Sequence, residues 1–426
     1  MMMLGVLAAV FLGLTLLAVP IAIALGVAAL VIVGIWGMPG FILAQKMVNG
    51  IDSFPLLAVP FFILAALVMN SGGITTRVVD LFSSALGRIR GSSGVVNVGT
   101  NVFLAGISGS SVADASASGA LLIPEMRKEG YSGGFAAALT AGAAVVGPII
   151  PPSIPLVIYG VIAQVSITKL FIGAYVPGVL IAVSLIAYVM LYARKHNLPA
   201  RGKQPRGVIA RQFRGSAWAL SMPLLLIVGA KGGLFTVTEL GAVLVLYAIF
   251  IGWIIHREFA WRRFPAMLSD AGLQTANIML VVAVSSFIAY LVVVHGIPRD
   301  IQNLLQGAQL SPWEFLLIVN LVFLVAGMFL DSTPATIILV PIFLPAAISF
   351  GIDPTHFGLV IVLNLMVGLI HPPLGLNLLI TQSIAKVPMR EVIWASLPIV
   401  GIVLAVLLVI TFVPQTVLWL PHVMGM

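Results

Sequence analysis

The chain has 426 residues, 61% of them hydrophobic and only 8% charged, with a mean hydropathy of +1.17. A water-soluble domain is about a quarter charged, so this composition excludes an ordinary globular enzyme and describes a polytopic, all-α membrane protein. There is no cysteine, which excludes disulfides, thiol catalysis and cysteine-ligated metals, and the formal charge of +8 reads as basic cytoplasmic loops, not as a nucleic-acid-binding face.

No charge precedes Lys46. The apolar run before it predicts a first span over about 4–36, retained because no small-residue cleavage site follows a short apolar core. Pro20 and Pro60 read as kinks. A second span over about 53–71 returns to the cytoplasm. Arg88 and Arg90 then precede, and Arg127 and Lys128 follow, a soft stretch that contains LAGISGSSVADASASGALLIPE. Both flanks are basic, so both lie on the cytoplasmic side. The limbs, about 94–109 and 112–125, fall short of the ~20 residues of a comfortable crossing. The pattern predicts a re-entrant hairpin over about 94–125 with its tip at Ser108–Ser111. Irregular backbone at membrane depth survives only inside protein or beside a wet cavity, so the tip is expected in the interior.

An interrupted span over about 133–165 goes out, and 168–193 comes back. The segment 193–215 carries seven Lys/Arg and no acid, which places it in the cytoplasm. A linking span at about 216–230 and another at 236–255 lead to a second basic loop, HREFAWRRF. A span over 273–295 follows. Residues 312–350, with AGMFLDSTPATIILVP, predict a second hairpin. A second interrupted span, about 356–385, and a last span, about 391–420, give nine crossings and two hairpins.

The two halves resemble each other. Ala105-Gly106, Val146-Gly147 and Pro151-Pro152 recur as Ala326-Gly327, Val367-Gly368 and Pro372-Pro373, at one common offset. Gly73-Ile74 and Gly296-Ile297 match at a nearby offset. Residues 1–193 form repeat 1, 194–235 the basic loop and linking span, and 236–426 repeat 2. The single linking span inverts the second copy, so the hairpins enter from opposite faces and their tips meet near the midplane, the layout of secondary transporters.

Four broken elements converge in this arrangement. The interrupted spans break at GPIIPPS (147–153) and GLIHPPLGLN (368–377). Paired prolines remove amide donors and leave carbonyls without partners. Bare carbonyls, with hydroxyls and a carboxylate nearby, suit a small hard cation such as Na⁺. At the hairpin tips, free N–H groups of half-helix N-termini and the hydroxyls of Ser110, Ser111, Ser332 and Thr333 suit a carboxylate. An aspartate in a membrane span costs about 2.5–3.5 kcal/mol on insertion scales, which marks Asp114 and Asp331 as functional or supporting groups, against a bland reading as helix caps. His371 reads equally as ligand, proton carrier or packing residue, and Asn377 as a pocket residue. Ser116, Ser118 and Gly119 read as a close-packing face.

At these motifs the chain resembles the large membrane subunit, of DctM or SiaM type, of tripartite ATP-independent periplasmic (TRAP) transporters. The resemblance rests on AGISGSSVADASASG, GPIIPPSIPLVIYG, FLDSTPATIILVPIFLP and GLIHPPLGLNL and spans nearly the whole chain. It implies a multi-pass protein of the bacterial inner membrane that imports an organic acid with two or more Na⁺. It also implies a transport domain that moves as an elevator against a scaffold. The implied partners are a small four-helix membrane subunit and a soluble periplasmic substrate-binding protein. By the same resemblance, one Na⁺ site uses Ser108, Ser110, Gly147, Ile150 and Pro152. The second uses Gly327, Asp331, Ser332, Gly368, His371 and Pro373. Ser110, Ser111, Asp114, Ser332, Thr333 and Asn377 are the expected substrate contacts. The alternative is a stand-alone proton- or Na⁺-coupled anion transporter of the same wider fold group, with His371 carrying the proton.

Overall fold

The structure is a computed structural model that describes residues 2–17, 19–200, 202, 205–231, 235–307, 309–372 and 375–426. Among them the regular structure is entirely helical. Repeat 1 comprises α1 (Met2–Leu16), α2 (Ile21–Ile35), α3 (Gly40–Ile51), α4 (Ala58–Ser71), α5 (Ile74–Leu86), α6 (Ser92–Ser108), α7 (Ser111–Lys128), α8 (Gly133–Ala144), α9 (Ile154–Ala163) and α10 (Ile167–Lys195). A linking helix, α11 (Arg206–Lys231), follows. Repeat 2 comprises α12 (Val237–Phe250), α13 (Phe264–Val294), α14 (Ile297–Gly307), α15 (Pro312–Phe329), α16 (Ser332–Ser349), α17 (Pro354–Gly368), α18 (Leu376–Ala385), α19 (Met389–Phe412) and α20 (Gln415–Val423). Among the described residues seven helical segments are long and apolar enough to cross a membrane, including both limbs of the second hairpin.

One expected span is two helices. Where the sequence predicts a single element over 4–36, α1 and α2 pack against each other. Pro20 stands directly before α2. Its ring removes an amide and crowds the carbonyl four residues back, so it ends a helix here where a kink was expected. The linking span is also longer than 216–230, because α11 takes in Arg206, Arg211 and Arg214.

Both hairpins form at the expected places. The first is α6 and α7, which pack along each other and turn at Gly109 and Ser110. Gly109 has φ +59°, and a Cβ there would stand 2.5 Å from the Pro152 carbonyl oxygen, so only glycine makes this turn. Ser110 then caps α7, its hydroxyl accepting from the Ala113 amide at 3.4 Å. The second hairpin is α15 and α16, with Asp331 directly before α16. The interrupted spans are α8 with α9 and α17 with α18. The hydroxyl of Ser153 caps α9 through the Leu156 amide at 3.2 Å. α9 and α18 are each ten residues long and each end on a non-glycine residue with positive φ, Gln164 (54°) and Lys386 (53°), a conformational echo of the duplication.

The repeats exchange partners. α7 of hairpin 1 packs on α18 of repeat 2, and α16 of hairpin 2 packs on α9 of repeat 1. α8 packs on both α18 and α19. A second group forms from α4, α12 and α13, with α2 and α3 against α13. α13 also runs along α16, so it is the main contact between this scaffold group and the hairpins.

Candidate substrate and cation site

Both hairpin tips and both breaks border one cavity of about 110 Å³. The tips supply Ser110, Ser111, Asp331, Ser332 and Thr333, the first break supplies Pro148, and the second supplies Leu369. Ser110 and Asp331, distant in sequence, therefore face the same space. Asp331 is exposed into it, whereas Ser332 and Thr333 are mostly buried, at 8% and 6%. The sequence expectation that the four broken elements converge holds for these residues. Its lining is mixed: five residues carry side-chain oxygens, the remaining eight are apolar or glycine, and no basic side chain is among them.

The first hairpin carries a second polar cluster behind this cavity. The Ser108 hydroxyl donates to Asp114 Oδ1 at 2.5 Å and accepts from the Ser110 amide at 3.2 Å. Asp114 is 2% exposed, and its Oδ2 has no hydrogen-bond partner. That oxygen lies directly against Gly147, where a methyl group would overlap it. A buried carboxylate oxygen without a donor is costly unless a cation answers it. Ser108, Gly109, Asp114, Gly147 and the Pro152 carbonyl are thus gathered into one oxygen-lined cluster. Ile150 lies in the same break with its side chain turned onto Gly178 of α10.

In the second cluster Gly327 and Gly368 touch backbone to backbone, and a Cβ on Gly368 would collide with the Gly327 carbonyl. The break is held by amides of its own: Asn377 N donates to Leu369 O at 3.1 Å, and Gly375 N to His371 O at 3.1 Å. His371 is half-buried there, while Pro373 lies outside the described residues. No group of three His, Cys, Asp or Glu side chains gathers among the described residues, so a cation held here rests mainly on carbonyl and hydroxyl oxygens.

Two expected substrate contacts point elsewhere. Asn377 is fully buried and its Nδ2 donates to the Ser111 hydroxyl and to Ala141 O at 3.3 Å, so it links the second break to the first hairpin without lining the cavity. Asp114 likewise serves the first cluster, not the space between the tips. Sequence reasoning missed the amides that brace the hairpins. Asn101 Nδ2 donates to Asn97 Oδ1 at 2.9 Å, and Asn97 Nδ2 to Thr140 Oγ1 at 2.7 Å. Ser118 Oγ donates to Asn101 Oδ1 at 3.1 Å. In repeat 2 Asn364 Nδ2 donates to Asn320 Oδ1 at 2.8 Å, and Asn320 Nδ2 to Thr411 Oγ1 at 3.0 Å. Asparagines inside apolar helices were the available signal.

The family described as "Tripartite ATP-independent periplasmic transporter, DctM component" matches residues 8–416. The chain is 36% identical to the C4-dicarboxylate TRAP transporter large permease protein DctM of Pseudomonas aeruginosa, over 90% of each chain. It is 36% identical to the sialic acid TRAP transporter large permease protein SiaM of Vibrio cholerae, over 89% of each. It is 38% identical to the 2,3-diketo-L-gulonate TRAP transporter large permease protein YiaN of Escherichia coli, over 88% of this chain and 89% of that one. Among solved structures, the Alcanivorax borkumensis YdaH transporter superposes with a TM-score of 0.65 at 14% identity, over 87% of each chain, a likeness of fold.

Proposed function

Because this chain belongs to the DctM family, the large permease component of TRAP transporters, we propose that it imports an organic acid together with Na⁺ by an elevator movement of the hairpin-bearing domain. The observation that carries the reading is the shared cavity, in which two hairpin tips and two helix breaks offer hydroxyls, helix N-termini and one carboxylate. The N-termini of α7 and α16 attract the acid's carboxylate, each contributing about 0.3–1 kcal/mol or more where water is excluded. Ser110, Ser111, Ser332 and Thr333 add hydroxyl donors. One Na⁺ is taken by the Ser108, Asp114 and Gly147 cluster with the Pro152 carbonyl. A second is taken by Asp331 with Ser332 and the Gly327 and Gly368 backbone.

Those ions provide the driving force. Each Na⁺ entering down ~100 mV releases about 2.3 kcal/mol, and a tenfold gradient adds about 1.4 kcal/mol. Two ions supply roughly 7 kcal/mol, of which a monoanion moving inward consumes about 2.3. The remainder sustains about three decades of accumulation. The substrates named for relatives, a C4-dicarboxylate, sialic acid, diketogulonate and isethionate, all carry an anionic acid group, a carboxylate in the first three and a sulfonate in the last. That shared group is the one the tips are suited to hold.

Two partners belong to this reading: a small membrane subunit and a periplasmic binding protein that delivers the acid. The Haemophilus influenzae sialic acid TRAP transporter permease protein SiaT matches over 89% of this chain but only 62% of its own length, so that relative carries a further segment. The test is uptake of radiolabelled organic acids into proteoliposomes holding this chain and the small subunit, with binding protein outside. Accumulation should require an inward Na⁺ gradient and be abolished by Asp331→Asn. Uptake driven by pH alone and indifferent to the binding protein would select the stand-alone transporter instead.

A further inference from the structure

A second cavity, also about 110 Å³, lies on the other side of the hairpin 1 tip. Its hairpin wall includes Ser108, Ser110 and Asp114, and its opposite wall brings Asn70 from the end of α4, Thr75 from α5 and Gln274 from α13. Ser110 borders both cavities, and so does α13, through Gln274 here and Ile278, one turn on, in the cavity between the tips. The two spaces are neighbours along one scaffold helix, separated by a serine.

The second cavity lies toward the basic side of the membrane. Asn70 stands in the last turn of α4, followed by Arg77. Gln274 lies ten residues into α13, about 15 Å from its start, and Arg262 and Arg263 directly precede that helix. Basic flanks mark this end as cytoplasmic. Polar side chains at membrane depth are costly and line pathways. Thr75 Oγ1 donates to Asn70 Oδ1 at 3.2 Å, which fixes the amide with its NH₂ free to face the cavity. Asn70 and Gln274 are both exposed, and neither Asn70 Nδ2 nor the Gln274 side chain is taken up by a protein hydrogen bond among the described residues, so both are open to a ligand. Uncharged amide donors recognise a carboxylate or hydroxyl oxygen, and with no lysine or arginine in the lining and the Asp114 carboxyl on the hairpin wall, answered by a cation in the transport reading, they hold it loosely.

We propose that Asn70, Thr75 and Gln274 form a release station on the scaffold, a second and weaker site for the carboxylate of the acid after it passes Ser110 toward the cytoplasm. The proposal rests on the transport reading for its ligand, but its place can be tested without one. The chain has no cysteine, so Gln274→Cys gives a single reactive thiol. A membrane-impermeant maleimide should label it in inside-out vesicles and not in right-side-out vesicles. No labelling, or equal labelling from both sides, overturns the station. In the uptake assay, Asn70→Leu with Gln274→Leu should slow turnover by about fivefold, the worth of one or two ordinary hydrogen bonds, with the KM for binding-protein-delivered acid little changed. Gln274→Glu should slow it further, whereas a purely structural role would respond alike to Leu and Glu. Unchanged turnover in the double variant, at unchanged thermal stability, also overturns the proposal. Failure of the transport reading shows itself separately, as wild-type protein that accumulates no acid under either Na⁺ condition.

Discussion

Replacing Ser108 by alanine tests the first cation cluster most directly. The hydroxyl donates to Asp114 Oδ1 at 2.5 Å in a place where the carboxylate is 2% exposed and its other oxygen has no donor. A hydrogen bond to a charged group is worth about 1.5–3 kcal/mol net. Removing it deprives a bound ion of a neighbouring oxygen and loosens the carboxylate that faces it. The expected loss is about tenfold to a hundredfold in Na⁺ affinity, since each 1.4 kcal/mol is a decade. The assay is the Na⁺ concentration giving half-maximal uptake, supported by the Na⁺-dependent rise in melting temperature of the purified protein. Ser118→Ala is the control: that hydroxyl bonds Asn101 Oδ1 and the Asp114 carbonyl, not the carboxylate. It should cost stability and leave the Na⁺ dependence alone. Equal shifts in the two variants, or none in Ser108→Ala, would refute the assignment of Asp114 to a cation.

Further expectations follow from other contacts. Gly368→Ala sets a methyl against the Gly327 carbonyl, backbone that cannot step aside, so it should cost about 1–3 kcal/mol of stability, read as a lowered Tm, and remove Na⁺-stimulated uptake. Asn97→Leu leaves Asn101 and Thr140 without their shared partner and should destabilise by about 1–3 kcal/mol, read by thermal unfolding in detergent. Thr236→Ala and Ser311→Ala each break a capping box and should cost about 0.5–2 kcal/mol without changing uptake kinetics. Arg77 meets Glu258 through two bonds, 2.6 and 2.9 Å, and holds that carboxyl below its ordinary value. A depressed carboxylate stabilises above its unfolded pKa and loses this as pH falls through the folded value. The Tm gap between wild type and Glu258→Gln, worth at most about 1 kcal/mol at an exposed pair, should therefore be present at neutral pH and vanish as pH drops below the ordinary glutamate range.

The hairpins and breaks were legible because their chemistry is local. Glycine, serine and paired proline interrupt apolar runs wherever the backbone must bend, and basic flanks report which side each end occupies. Hairpin 1, expected over 94–125, spans Ser92–Lys128, and the second, expected over 312–350, spans Pro312–Ser349. The split between α1 and α2 was hidden because a uniformly apolar run has no period to show where a helix doubles back, and one proline reads as a kink or a stop with equal ease. Side-chain direction was hidden too. Asn377 and Ser111 are bonded across the two repeats, and Asn70 and Gln274 line one cavity only because α4 and α13 pack together. Spacing along the chain says which residues are unusual but not which of them face one another.

The crossed packing of α7 on α18 and of α16 on α9 bears on how such a molecule can be taken apart. Neither half owns a finished pocket, since the Ser111 hydroxyl of one is gripped by Asn377 of the other. Two polypeptides made by severing the chain near Gly202 would each be inert, yet synthesised together they should mate and regain activity. If the two clusters each take an ion as proposed, the Asn377–Ser111 bond ties the second break to the first hairpin, and the pair of ions should load in concert.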